Sequence, residues 1–397
     1  MRVRAAAVIA AMAVTVGLLG TAAPAGAASD GFWDYRPLSI SGTYQPLVGA
    51  FGGDAADDVF WYAPGSAADS LWLGKAGARG SSAFTRKAMS VTGTFKPVVG
   101  DFGGNDLDDI FWYGTGDAKD YLWINNGNGT FSSKPFKMGG NFTLHRMRDY
   151  RPDHKDDLLI HCLNCQASSY MWHFADDGSA SYTSFTMGGI GGKRPAIGDW
   201  NGDGIEDLFL HGPGNLNPDL RWLMNDDGTW VQKVYSISGT YEPVVIYQVP
   251  NDALLFWGGE RASEAYWWSD GTNFVNKPVR SVNGSGRVSP FPTGAAVVSG
   301  PFVYDALFIG DDTKGDFYDL ASAGHEKANE VPVIGDFNDD GWYDILWYKA
   351  GAGADEVWYL EPQTAEDAPG VRGLRVDPRG DVAPSTSAAA PDETAEG

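Results

Sequence analysis

The chain has 397 residues, of which 51 are acidic and 29 basic, giving a net charge of −22. That balance argues against DNA, RNA or an anionic membrane surface as a partner. Most of the excess acid reads as solvated surface, with a share reserved for the acidic loops described below. In the first 27 residues, Arg2 and Arg4 precede an apolar run that ends in the small-residue triplet Ala25–Ala27. This is the pattern of a secretory signal peptide cleaved after Ala27 or Ala28, so an extracellular location is expected. The apolar core is short for a membrane anchor, and no later segment is suited to spanning a bilayer.

From Gly31 onward the chain repeats itself. Related segments begin at Ser41 (SGTYQPLVGAFGG), Thr92 (TGTFKPVVGDFGG), Gly139, Gly188, Ser238 (SGTYEPVVIYQV), Asn283 and Asn329, at intervals of 45–51 residues. Each of the seven units carries the same pieces in the same order. A strand such as KPVVGDF leads into an acidic loop. A second strand follows (DDVFWYA, DDIFWYG, DDLLIHC, EDLFLHG, NDALLFWG, DALFIG, YDILWYK), then a third, aromatic one (SLWLG, YLWIN, YMWHF, LRWLM, AYWWS, DFYDL, EVWYL). Turn signals such as NNGNGT and NDDGT lead to a fourth. The second strands are apolar at consecutive positions, as in sheets covered on both faces. Trp72, Trp123, Trp172, Trp222, Trp267 and Trp358 recur at one third-strand position and are expected to pack between sheets. Four short strands per unit of this length predict an all-β fold, a seven-bladed β-propeller with four-stranded blades.

The seventh unit stops after its third strand. The missing piece stands at the other end of the chain, where Gly31–Ile40 (GFWDYRPLSI) resembles the fourth strands GTFSSKPFKM and GTWVQKVYSI. The N-terminal strand is therefore expected to complete the last blade, which would protect two open sheet edges. The predicted organisation is a signal peptide over 1–27, one propeller over 28–361, and an acidic Ala/Pro-rich tail over 362–397 whose composition predicts disorder.

Two of the loops between first and second strands have calcium-ligand spacing. DWNGDGIED offers Asp199, Asn201, Asp203, the carbonyl of Ile205, and Asp207. DFNDDGWYD offers Asp336, Asn338, Asp340, the carbonyl of Trp342, and Asp344. Calcium takes six to eight oxygen ligands, and alternating donors around a glycine bend can supply them. The spacing is similar to the first half of an EF-hand loop, but Leu210 and Trp347 stand where that loop needs its bidentate glutamate, and the flanks are strands. The plain alternative is an Asx-rich turn that holds no ion. A weaker third set is Asp101, Asn105 and Asp109 in the second unit, where Gly103 replaces a ligand. In the third unit Asp149, Asp153 and Asp157 are interrupted by Arg151, and in the first Ala50 takes the leading position; neither is expected to bind calcium.

These loops in their strand context resemble the FG-GAP or VCBS repeats of integrin-α-like propellers, in the form found in secreted actinobacterial proteins. The resemblance extends over nearly the whole chain after the signal segment. It implies Ca²⁺ at the two full loops and a secreted binding or adhesion module.

The remaining motifs are thin. Cys162 and Cys165 in HCLNC lack the βαβ context of a redox pair and the further ligands of a zinc site, and in a secreted chain they are expected to form a disulfide. Six histidines, His145, His154, His161, His173, His211 and His325, are scattered over three units. GGIGGKR has Arg194 where a phosphate loop needs Ser or Thr, and no GxSxG or HExxH occurs. The expected function is a non-catalytic, monomeric, calcium-stabilised module for an extracellular protein or cell-surface ligand. The alternatives are a lectin with sugars in the clefts between blades, and a propeller hydrolase or lyase. The variable turns on the rim opposite the calcium loops, including Gly212–Asp219, are the expected recognition surface.

Overall fold

In the computed structural model, residues 28–360 are described apart from 30–32, 149–152, 154, 162–168, 186–192, 215–217, 226, 249, 259–263, 280–286, 291–294, 300–305, 311–313, 320–329 and 352. Cys162, Cys165, His154, His325, Asp149, Arg151, the first 27 residues and the tail after 360 lie outside the described residues. The chain is a β-propeller built from four-stranded antiparallel blades. Six sheets have four strands each, and a further sheet has five. No helix among the described residues is long and apolar enough to cross a membrane.

The repeat dictates the blade. The second strands Asp58–Tyr62, Asp109–Tyr113, Asp157–His161, Asp207–His211, Ala253–Trp257 and Asp344–Tyr348 are buried at all five positions. Burial on both faces explains why these segments do not alternate. The fourth strands, such as Phe84–Met89 and Trp230–Tyr235, are largely exposed and carry the polar alternation instead. The recurring tryptophans hold one register: Trp72, Trp123, Trp172, Trp222, Trp267 and Trp358 pair with Val59, Ile110, Leu158, Leu208, Leu254 and Ile345. Trp72 and Trp61 meet edge to face at 5.5 Å. They lie in one apolar cluster with Val333, Leu346 and Val357 of the five-stranded sheet. Such clusters bridge from one blade to the next, so burial drives the stacking of blades as well as the formation of each.

The first strands line the middle of the ring. Val331–Gly335 lies beside Gln45–Gly49, which lies beside Lys96–Gly100, which lies beside Thr143–Met147; Arg194–Gly198 likewise neighbours Glu242–Ile246. The sheet around residues 287–319 departs from the pattern. Ala295–Ser299, Ala306–Gly310 and Gly315–Asp319 hold the register of first, second and third strands, with Leu307 opposite Tyr318. Its fourth strand, however, is Arg287–Pro290, added on the inner side of Ala295–Ser299.

The five-stranded sheet joins the two ends of the chain. Trp33–Leu38 pairs antiparallel with Asp355–Leu360, from Trp33 opposite Leu360 to Leu38 opposite Asp355, and Ala28–Ser29 adds a short outer strand. Trp33 and Tyr35 are buried against Trp358.

Two side-chain motifs fasten the blades internally. The first residue of the third strand is Asp69, Asp120, Asp219 or Asp355. Each accepts the amide that follows the second strand: Ala63, Gly114, Gly212 or Lys349, at 2.7–2.8 Å. Its other oxygen accepts an amide beyond the fourth strand: Val91, Met138, Ile237 or, for Asp355, Ile40. The second motif is the hydroxyl at the end of the second strand. Tyr62, Tyr113 and Tyr348 each donate to the glycine carbonyl of the SGTY-like turn and accept an amide two residues later.

Candidate functional site

The two full acidic loops close on themselves in the same way. Asp199 Oδ1 accepts the amides of Asn201 and Gly202, and Oδ2 accepts Gly204. Asp203 Oδ1 accepts the amide of Ile205, and Asn201 Nδ2 donates to Asp203 Oδ2 at 2.8 Å. In the second loop Asp336 accepts the amides of Asp340 and Gly341, Asp340 accepts Trp342, and Asn338 Nδ2 donates to Asp340 Oδ2 at 2.8 Å. Gly204 and Gly341 sit at φ +85° and +84°, a conformation that costs other residues strain. Asp207 is fully buried beneath its loop, with Oδ1 on the amide of Met224 and Oδ2 on that of Trp200. Asp344 does the same with Leu360 and Phe337.

The electrostatics of the pair fit a cation. Burial pushes the Asp207 carboxyl up to about 8, and Asp199 and Asp203 add repulsion. Burial likewise raises Asp344 well above the carboxylate range, reinforced by Asp340 and Asp336. Three acids therefore sense one another in each loop. Every donor that the sequence offers is oxygen, the element calcium selects. Among the described residues no three His, Cys, Asp or Glu side chains stand at metal-ligand spacing. The loop amides hold the carboxylates instead, and a carboxylate oxygen retains a second lone pair when it accepts one N–H. The two loops differ in one respect. Arg79 of the adjoining blade places Nη2 3.6 Å from Asp340 Oδ2, whereas no such contact reaches Asp203 among the described residues.

The weaker sets separate further. In the second blade Asp101 accepts the amides of Gly104, Asn105 and Asp106, while Asp109 Oδ2 is buried without a partner. Lys155 of the next blade lies over Gly104, within 2.9 Å of where a Cβ would stand. The third-blade loop starts one residue earlier than its acidic pattern suggests. Arg148, not Asp149, directly follows the first strand as Asp101 and Asp199 do, and its amide makes the bond described next.

A row of acids that spacing alone did not single out links neighbouring blades. It is the residue immediately before the second strand of each blade: Asp57, Asp108, Asp156, Glu206 and Asp252. Each accepts the leading loop amide of the preceding blade, from Asp336, Ala50, Asp101, Arg148 and Asp199 respectively, at 2.6–2.9 Å. Each returns its own amide to the carbonyl of the same residue. The carboxylate fits because the first strand ends in glycine: a Cβ on Gly100 would come within 2.6 Å of Asp156 Oδ2, and one on Gly198 within 2.8 Å of Asp252 Oδ2. Where Met147 replaces that glycine, the acid is Glu206, one methylene longer. The paired acids in AADD, LDD, KDD and IED were the available sequence signal.

The inner strands enclose a channel of about 540 Å³. Its wall repeats Pro97–Val99 of the second blade, Pro195–Ile197 of the fourth and Pro243–Val245 of the fifth, but the third blade carries Leu144, His145 and Arg146. His145 and Arg146 line the channel with Glu206 and Tyr247. His145 stacks on His161 with centroids 5.0 Å apart and planes 11° from parallel. Burial lowers both, His145 to about 3, with His161 contributing, and His161 to about 4. His211 is buried on Asp219 at 2.9 Å, and His173 on Asp157 at 2.9 Å.

No protein-family model matches the chain, and no curated protein matches it in sequence. Among solved structures it is similar to an Agrocybe aegerita lectin specific for non-reducing terminal N-acetylglucosamine, with TM-score 0.56 and 15% identity over 74% of this chain and 90% of the lectin. A Lactobacillus plantarum protein aligns at TM-score 0.48 and 14% identity over 71% of this chain and 85% of that one. BBS1N, solved in complex with ARL6DN, aligns at 0.47 and 10% over 83% and 99%. The lectin likeness supports the propeller fold.

Proposed function

We propose that the protein is a secreted, non-catalytic recognition module whose propeller is stiffened by calcium at the Asp199–Asp207 and Asp336–Asp344 loops, of the FG-GAP or VCBS type. In this reading the five-stranded sheet is a seventh blade, closed by the N-terminal strand, and the mature chain is a monomer outside the cell. The observation that carries the reading is the use of the rim carboxylates. Asp57, Asp108, Asp156, Glu206 and Asp252 all hold amides of the neighbouring blade. Asp58, Asp109, Asp207 and Asp344 hold amides of their own. Acids engaged in this way serve a rigid scaffold rather than proton transfer.

A carbohydrate ligand is the second reading. Tyr182 is 62% exposed and stacks on Trp172 at 6.0 Å with planes 19° apart, an aromatic platform on an outer strand. Exposed aromatic faces suit the apolar face of a sugar ring, and the similar lectin makes N-acetylglucosamine-terminated glycans the first probes. A glycan array with and without calcium, run beside Tyr182→Ala, separates the readings. Glycan binding lost in Tyr182→Ala establishes a lectin. A silent array together with capture of one extracellular protein establishes protein recognition. Turnover of any bound glycan would overturn the non-catalytic reading.

A further inference from the structure

We propose that the central channel is a second ligand site, which takes a small organic carboxylate with an apolar body and grips it through Arg146. The inference is independent of the calcium loops and of the outer-strand platform. It starts from an internal comparison. At the fourth position of the inner strand the blades carry Val48, Val99, Ile197, Val245 and Ile334, while the third carries Arg146. Burying a guanidinium in a wall of valines is unfavourable unless something meets it.

The protein meets it only in part. Among the described residues Arg146 makes one ion pair, Nε to Asp156 Oδ2 at 3.8 Å, and its side chain is 30% exposed to the channel. Its terminal nitrogens make no hydrogen bond to any described residue. That pair of nitrogens is the fork that receives a carboxylate in two parallel bonds. Tyr247 lines the same channel. It stands where other blades place Ala50, Asp101, Asp199 and Asp336, and burial, then Glu206, pushes its phenol up to about 12, so it remains a donor. Above this polar end the walls are Pro97, Val99, Pro195, Ile197 and Val244, rigid and apolar.

The nearby acids leave room for an anion. Asp108, Asp156, Glu206 and Asp252 hold the amides of Ala50, Asp101, Arg148 and Asp199. Arg148 adds a second positive charge beside Asp156. A volume of about 540 Å³ lies within the range of small-molecule sites.

The test is calorimetric titration of the full chain at pH 7 with 4-phenylbutanoate and with 4-phenylbutylamine, which differ in the head group alone. The carboxylate should bind saturably and the amine should not. Arg146→Met should weaken the carboxylate about tenfold or more, the scale of a lost charged hydrogen-bond pair. Tyr247→Phe, which removes a single donor, should weaken it to a smaller degree. Arg86→Met on the outer strand should leave it unchanged. The proposal is overturned if the carboxylate does not saturate, if the amine binds as well, or if a folded Arg146→Met binds like the parent. Should Arg146→Met fail to fold, unchanged affinity in Tyr247→Phe overturns it instead.

Discussion

The amide of Ile40 donates to Asp355 Oδ2 at 2.6 Å, a bond between residues 315 positions apart. Within single blades the same bond joins Val91 to Asp69, Met138 to Asp120 and Ile237 to Asp219. The N-terminal segment thus makes, in the five-stranded sheet, the contact that a fourth strand makes elsewhere. Asp355 also accepts the amide of Lys349, so Asp355→Ala leaves two donors without a partner. The expected loss is about 2–6 kcal/mol, from one to three per orphaned buried group, read from denaturant unfolding. Removing residues 28–40 should go further, with loss of a single cooperative transition. A truncated chain that melts like the parent would show that the fold does not depend on the pairing of Trp33–Leu38 with Asp355–Leu360.

Much of this was legible because a repeat reports its own register. The second strands and the recurring Trp positions follow from aligning the units with one another. What spacing could not reveal was the division of labour within the acidic loops. Asp207 and its neighbour Glu206 look alike in DWNGDGIED, yet one holds its own blade and the other holds the blade before it. The difference comes from the pleat, which points consecutive side chains to opposite faces. The inserted strand Arg287–Pro290 was equally hidden, since RVSP reads as the first strand of its unit rather than as an addition to it. His145 and Arg146 fell in a segment used to mark the register, and their channel setting depends on five blades meeting.

Asp58 should make the protein lose stability as pH rises from about 4 to about 8. It is fully buried, with Oδ1 on the amide of Gly74 and Oδ2 without a partner. Burial raises its carboxyl from 3.8 to about 8. A carboxyl whose folded value is raised contributes stability that is present below the unfolded value and is lost as pH rises through the folded one. The melting temperature should therefore fall from about pH 4 to about pH 8 and level off above that. Asp58→Asn keeps an oxygen for Gly74 and has no proton to lose, so it should flatten that fall. Parallel pH profiles for parent and variant would rule Asp58 out as the cause.

The stacked histidines should act at the opposite end of the scale. His161 is 2% exposed and neither of its ring nitrogens has a partner, nor does Nε2 of His145. Both folded values are lowered from 6.5, to about 4 and about 3, chiefly by burial. The stability held by the neutral pair is present above the unfolded value and is lost as pH falls below about 6.5 toward the folded values. Asp156 and Arg146 flank His145 on its own and the adjoining strand, and their pair weakens too as Asp156, raised to about 6, takes up a proton. His161→Leu should reduce the acid-side loss of melting temperature. An unchanged acid limb would assign the loss to other groups.

Arg79 should set the two acidic loops apart. Its Nη2 lies 3.6 Å from Asp340 Oδ2, and its Nη1 is anchored 2.9 Å from Asp34 Oδ2. A calcium ion drawing on Asp340 must share that carboxylate with a guanidinium fixed from the neighbouring blade, and like charges at this separation repel even near a surface. Asp203, the equivalent residue of the other loop, has no such neighbour among the described residues. The Asp199–Asp207 loop should therefore fill first, within the range of about 10⁻⁴–10⁻³ M typical of extracellular sites. Arg79→Ala should raise the affinity of the Asp336–Asp344 loop about three- to tenfold and leave the other unchanged. Trp200 and Trp342 sit inside the two loops, so terbium emission sensitised by tryptophan can report each one, with calcium as competitor. In an Asp203→Ala background the signal comes from the Asp336 loop alone, and there the effect of Arg79→Ala can be read directly. Equal affinities with and without Arg79 would mean that Asp340 does not ligate the ion. Absence of any bound terbium in the parent would remove calcium from the functional reading and leave both loops as hydrogen-bonded turns.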